Sequence, residues 1–192
     1  MSMTAKQLWE LGLEVFTKRQ PLMLLWQEIS ENFYPERADF TYTRSLGTDF
    51  AANQLTSYPF LCRRDLGDQL GTMLRPTAKE WAHMALVDPS RENNEANRWL
   101  QWATTVQRRA MYDPVTKFTR ATKEGDHDFA AFGQCVISIE MNYNANALLF
   151  RTHHLRDVAW IENEEQNIAA VWRKWKPKVR DLCQMYPNTV DT

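Results

Sequence analysis

Apolar residues recur at helical spacing through the first two thirds of the chain and at strand spacing after it. Over residues 5–19, Leu8, Leu11, Val15 and Phe16 share one helical face. Pro21 interrupts and suits the first turn of a second helix, in which Leu22, Leu25, Trp26, Ile29 and Phe33 follow the i, i+3, i+4, i+7 pattern. These two helices are predicted to form a hairpin. Helix returns over 51–74, divided or kinked at Pro59, with Cys62, Leu66, Leu70, Met73 and Leu74 as its stripe. Gly67 and Gly71 lie four apart on one face, which lets another backbone approach closely. Residues 79–87 read as a strand or a turn. Residues 91–111 carry the stripe Ala96, Trp99, Leu100, Ala103, Val106 and Ala110, with Trp99 at its centre and expected to be buried. Asp113-Pro114 then opens a helix over 115–129.

After residue 132 the period changes to two. Cys135, Ile137, Ile139 and Met141 alternate with Val136, Ser138 and Glu140, the pattern of a strand with one buried face. Polar clusters at 142–146 and 163–167 separate it from further runs at 147–153, 158–161 and 168–175. The simplest reading is one late, continuous antiparallel sheet joined by short turns. The expected fold class is therefore α+β, with N-terminal helices packed on that sheet. Residues 1–131 form the helical part, 132–176 the sheet, and 177–192 the start of a further helix, through Val179, Leu182 and Met185.

Residues 34–50, YPERADFTYTRSLGTDF, lose the apolar rhythm. An aperiodic stretch of this length is uncommon inside a compact domain and is often functional. It is either an arm lying over a helix, within or between subunits, or a mobile loop. Phe40, Tyr42 and Phe50 favour burial, and Arg37 and Arg44 suit forked pairing with carboxylates. Arg37, Phe40, Tyr42 and Arg44 are accordingly candidate self-association residues.

Charge is nearly balanced, with 23 basic and 24 acidic residues, a poor profile for a free nucleic-acid binder. Eight Trp and nine Phe are more than one small domain readily buries, so some are expected to face a partner. Cys62, Cys135 and Cys183 are an odd set without CxxC spacing, which fits a reducing compartment. No run approaches the roughly 18 apolar residues of a membrane span, and no membrane partner is predicted.

Chemistry is harder to find. Asp126-His127-Asp128 sets two carboxylates beside an imidazole, but consecutive helical residues point about 100° apart and do not converge. A solvated polar face is the preferred reading. His153 and His154 alternate to opposite faces of a strand. There is no GxGxxG, GxxxxGK or GxSxG motif. No catalytic residue, metal or cofactor is predicted. Arg173, Lys174, Lys176, Lys178 and Arg180 interleave with Trp172 and Trp175. That cluster suits phosphate contact and stacking, or else a solvated edge whose charges pair with Glu162, Glu164 and Glu165 within or between chains. Trp172 and Trp175 complete the self-association candidates.

In order along the chain come Trp26-Gln27-Glu28-Ile29, then 34–40 (YPERADF), Leu74-Arg75-Pro76 with Trp81, 132–140 (FGQCVISIE), 150–157 (FRTHHLRD) and Val171-Trp172-Arg173-Lys174. This ordered set resembles the N-terminal part of the head-to-tail connecting, or portal, proteins of short-tailed bacteriophages. The resemblance implies a wing-like fold and a non-enzymatic subunit of a ring, usually a dodecamer, at one capsid vertex. A separate terminase motor pumps DNA through such a ring without sequence-specific binding. Capsid, scaffolding, terminase and tail adaptor proteins are the implied partners. The implied location is the virion's portal vertex, with host cytoplasm during assembly. Portal proteins normally continue into stem helices and a clip, so the chain is expected to be truncated. A different class remains open, a small Trp-rich adaptor or binding module with no conduit role.

Overall fold

A computed structural model describes residues 3–45, 47–49, 54–76 and 79–186. Among the described residues six α-helices, α1 (Ala5–Lys18), α2 (Gln20–Phe33), α3 (Tyr58–Leu74), α4 (Asn94–Met111), α5 (Phe118–Phe132) and α6 (Val179–Met185), combine with four strands in an α+β fold. The strands are β1 (Val136–Met141), β2 (Leu148–His153), β3 (Val158–Glu162) and β4 (Ile168–Arg173).

Thr4 starts α1 with a capping box, its side chain accepting from the Gln7 amide while the Gln7 side chain accepts from the Thr4 amide. Only Arg19 separates α1 from α2, and its backbone is right-handed helical, with φ −84° and ψ −2°. One such residue bends the path without reversing it, so the expected hairpin of helices does not form. Instead α1 packs on the β3–β4 hairpin. Gly12 lies against the Trp172 ring, where an added Cβ would meet Cδ1 at 2.7 Å, and Trp172 Nε1 donates to the Leu8 carbonyl at 3.1 Å.

The helix expected from residue 51 begins at Tyr58, with Pro59 in its first turn, where a missing N–H costs nothing. Pro59 therefore starts the helix and does not divide it. α3 runs along α5, and its glycines make the approach possible. A Cβ on Gly67 would overlap the His127 ring, and one on Gly71 would lie 2.9 Å from Asp126 Oδ2. The glycines do serve close packing, although what enters is the side chains of α5.

The late strands form two separate antiparallel hairpins, not one continuous sheet. β1 pairs with β2 from Val136↔His153 to Met141↔Leu148, and β3 pairs with β4 from Val158↔Arg173 to Glu162↔Ile168. A 3₁₀ turn at Leu155–Asp157 breaks the sheet between β2 and β3. Its Leu155 is buried with Trp26 and Phe40, and this anchor turns the chain before β3 can pair with β2.

α5 is the axis of the core. Its end supplies Phe132 to the cluster of Trp26, Phe40 and Leu155, and its start supplies Phe118 and Ala121 to a second cluster with Phe150. Residues 79–86 form neither helix nor strand, and Trp81 stacks on Phe118 at 6.3 Å while its Nε1 donates to the Tyr112 hydroxyl at 3.0 Å.

Asn93 caps α4, which follows a 3₁₀ turn at Pro89–Arg91 and so begins later than its periodicity suggested. Its apolar positions split into two stripes. Leu100, Ala103 and Thr104 turn inward, and Thr104 Oγ1 accepts from the Met84 amide at 2.9 Å. Trp99, Trp102 and Val106 occupy the outer side. Trp99 is 60% exposed, which corrects the expectation that it is buried.

Candidate assembly surfaces

Gln27 decides the path of residues 35–44. It sits in α2 beside Trp26 and is itself buried. Its Oε1 accepts from the Phe40 amide at 2.8 Å and the Thr41 amide at 3.3 Å, while its Nε2 donates to the Ala38 carbonyl at 3.2 Å. These bonds strap the first half of the arm onto the chain's own α2. Phe40 is 5% exposed, packed between Trp26, Phe132 and His154 with ring centroids 5.6, 5.2 and 4.6 Å away. It belongs to the chain's own core. Arg44 Nη1 donates to the Pro35 carbonyl at 2.7 Å, and its guanidinium lies 5.8 Å from the exposed Tyr42 ring. Tyr42 is the one arm candidate that faces outward among the described residues. Phe50 lies outside the described residues.

Asp39 ties the strap to the turn after β2. Arg156 Nη1 donates to its Oδ2 at 2.6 Å, and His154 Nε2 lies 2.7 Å from its Oδ1. Burial pushes the Asp39 carboxyl up, but His154 and Arg156 together outweigh it and hold the group below the usual carboxylate range.

The Asp126-His127-Asp128 face is not solvated, which corrects the sequence reading. Each residue takes a different arginine. Asp126 pairs with Arg75 at the end of α3, Arg63 Nη1 donates to His127 Nδ1 at 3.0 Å, and Arg37 forks onto Asp128 at 3.1 and 3.0 Å. The 100° step that keeps the three from converging lets them reach three places at once. Arg63 can only donate, so Nδ1 holds the lone pair and Nε2 carries the proton, facing Asp68 Oδ1 at 3.4 Å. Burial, helped by the Arg63 charge, pulls the His127 imidazole down and keeps it neutral. Burial pushes the Asp128 carboxyl up to about 6, and Arg37 draws it only part of the way back. All three groups are committed to folding contacts. Among the described residues, no group of three His, Cys, Asp or Glu could hold a metal ion.

Large apolar side chains stand exposed on several helices. Trp99 and Trp102 are each 60% exposed with ring centroids 6.5 Å apart, and Trp9 on α1 is 69% exposed. Leu24 and Leu25 on α2 are also exposed. The chain's accessible surface is 14585 Å², against roughly 9,500 Å² for a compact monomer of its mass. No described helix is long and apolar enough to cross a membrane.

Of the two C-terminal tryptophans, Trp172 is held by α1, whereas Trp175 is 39% exposed with the Arg173 guanidinium 5.1 Å from its ring. Trp175 rims a cleft of about 710 Å³ shared with Phe16, Leu24, Phe40, Arg156 and Lys174. Sequence reasoning missed Gln27, Asp39, Arg63 and Arg75. Gln27 left a signal, a polar residue next to Trp26 in the middle of an apolar helical face. Asp39 and the two arginines left none, since their partners are remote in sequence.

No curated protein matches the chain. Residues 4–192 match the sequence profile of a family described as bacteriophage head to tail connecting protein. That match spans nearly the whole chain, and the chain belongs to the bacteriophage head to tail connecting protein family.

Proposed function

We propose that this protein is a subunit of a closed portal ring, set between phage head and tail, through which DNA is packaged and ejected. The observation that carries the reading beyond the family is the surface. It exceeds that of a compact monomer by about half, and Trp99 and Trp102 stand exposed side by side with ring centroids 6.5 Å apart, the kind of apolar surface that marks an interaction site. Self-association into a ring covers such faces by repeating one contact between unlike patches. Near-balanced charge suits a conduit that lets DNA slide without holding it.

In this reading residues 1–131 and 132–176 build the outer part of the ring together. Capsid, scaffolding, terminase and tail adaptor proteins dock on it, and the resemblance suggests twelve copies. The subunit acts structurally in this reading, since Arg37, Arg63, Arg75, Asp126, His127 and Asp128 are taken up by folding contacts. It assembles in host cytoplasm and resides at the portal vertex. Of the self-association candidates, Tyr42 and Trp175 offer exposed surface, while Arg37, Phe40, Arg44 and Trp172 hold the surfaces that present them. Negative-stain imaging of the purified chain tests the reading. Closed rings support it, and a dispersed monomer that binds a separate protein favours the adaptor class.

A further inference from the structure

The β3–β4 hairpin is polarised in charge. Its tip carries Glu162, Glu164 and Glu165 in a run that is exposed from residue 162 to 169. Its base carries Arg173, Lys174 and Lys176, and the Lys174 amide donates to the Asp157 carbonyl at 2.7 Å, which fixes Lys174 beside the start of β3. Six residue steps along the strand separate Ile168 from Lys174, about 20 Å at the usual rise. That is beyond the Debye length of about 8 Å at physiological salt. The acidic tip therefore cannot neutralise the basic base of its own hairpin.

Resting on the ring reading above, we infer that the acidic tip of one copy docks into the cleft at the hairpin base of the next. The cleft has the complementary chemistry. Phe16, Leu24 and Trp175 give it apolar walls, and Lys174 and Lys176 line it with ammonium groups. Lys174 Nζ sits 3.8 Å from the Phe16 ring, and among the described residues neither Lys174 nor Lys176 forms an ion pair. Arg156 in the same cleft is already satisfied by Asp39 and Asp157, so among the described residues the two lysines are the cleft's cations without a carboxylate partner.

The tip is ordered in advance. Asn163 Oδ1 accepts from the Glu165 amide at 3.0 Å and from the Asn167 amide at 2.9 Å, which closes the turn and presents Glu164 and Glu165 together. Ordering the turn beforehand reduces the entropy lost on docking. Tip and cleft lie at opposite ends of one element, so their pairing joins unlike patches and propagates from copy to copy.

Charge reversal tests this on the full chain. Glu164→Lys with Glu165→Lys makes both ends basic, and Lys174→Glu with Lys176→Glu makes both ends acidic. Each double variant should raise the concentration needed for half assembly on the order of a hundredfold, with circular dichroism unchanged. An equimolar mixture of the two should recover rings, because each basic tip then meets an acidic cleft and each acidic tip a basic one. The chain carrying all four changes should recover them too. Rings indifferent to every reversal, or folded variants whose mixture stays apart, overturn the docking while leaving the ring reading intact. Loss confined to the lysine variant assigns the cleft to another acidic partner, such as a phosphate backbone, and likewise overturns it. A wild-type chain that stays monomeric overturns both.

Discussion

Arg37 grips Asp128 with two hydrogen bonds of 3.1 and 3.0 Å across 91 residues of sequence. The carboxylate is 1% exposed, so it depends on this partner. Removing the guanidinium strands a buried charge. Arg37→Met should cost about 3–5 kcal/mol at pH 8. The Asp128 pKa of about 6 lies above its ordinary value of 3.8. The folded state thus binds more protons than the unfolded state in that window, and this group's contribution to stability falls as pH rises through it. The deficit of Arg37→Met should shrink toward pH 5 as the stranded carboxyl protonates. Urea unfolding at the two pH values measures it, and a deficit that grows on acidification would refute the pairing.

His127 responds in the opposite direction. Its pKa is lowered from 6.5, so the unfolded chain binds the proton more readily. Stability from this group is complete above pH 6.5 and is lost as pH falls through the lowered value. Gly67→Ala pushes a methyl group into the same ring, and overpacking of that kind should cost roughly 1–3 kcal/mol. A thermal midpoint equal to that of the wild type would show that α3 and α5 stand further apart.

Gln27→Ala removes the acceptor of the buried Phe40 amide. Leaving that N–H unpaired should cost about 1–3 kcal/mol. Because the strap residues lose their anchor, amide exchange at Phe40 and Thr41 should speed up before exchange in α2 does. Unchanged exchange at those two amides would mean that the strap holds itself in place.

Trp26 and Trp99 form a contrasting pair. Trp26 is 2% exposed and Trp99 60% exposed. Trp26→Ala should cost about 3–5 kcal/mol. Trp99→Ala should change stability by no more than about 0.5 kcal/mol, while weakening assembly through the outer stripe of α4. Equal destabilisation by both would return Trp99 to the core.

The same pair shows how far the sequence could be read. Alternation and the polar clusters between runs placed the described strands to within a residue or two, and Pro21 marked the start of α2. Asp113-Pro114 instead starts a 3₁₀ turn, and α5 begins only at Phe118, three residues later than the spacing suggested. Periodicity could not say whether an apolar stripe meets its own chain or another one. Trp99 and Leu100 both satisfy the spacing of α4, yet one faces out and the other in. Division of the sheet was hidden for a similar reason, since Leu155 redirects the chain only because Trp26 and Phe40 are there to receive it. The arginine contacts on α5 span 51 to 91 residues, and local spacing does not encode such partners. Gly67 and Gly71 announced a close approach without naming who approached.

A ring closed by copies of this chain has one definite mass. Native mass spectrometry of the purified chain, over a range of micromolar concentrations, tests it most directly. A closed ring should appear as one dominant assembly whose mass is a fixed whole multiple of 22.6 kDa and stays the same as concentration rises. A monomer at every concentration, or an open ladder of masses that lengthens with concentration, would contradict it.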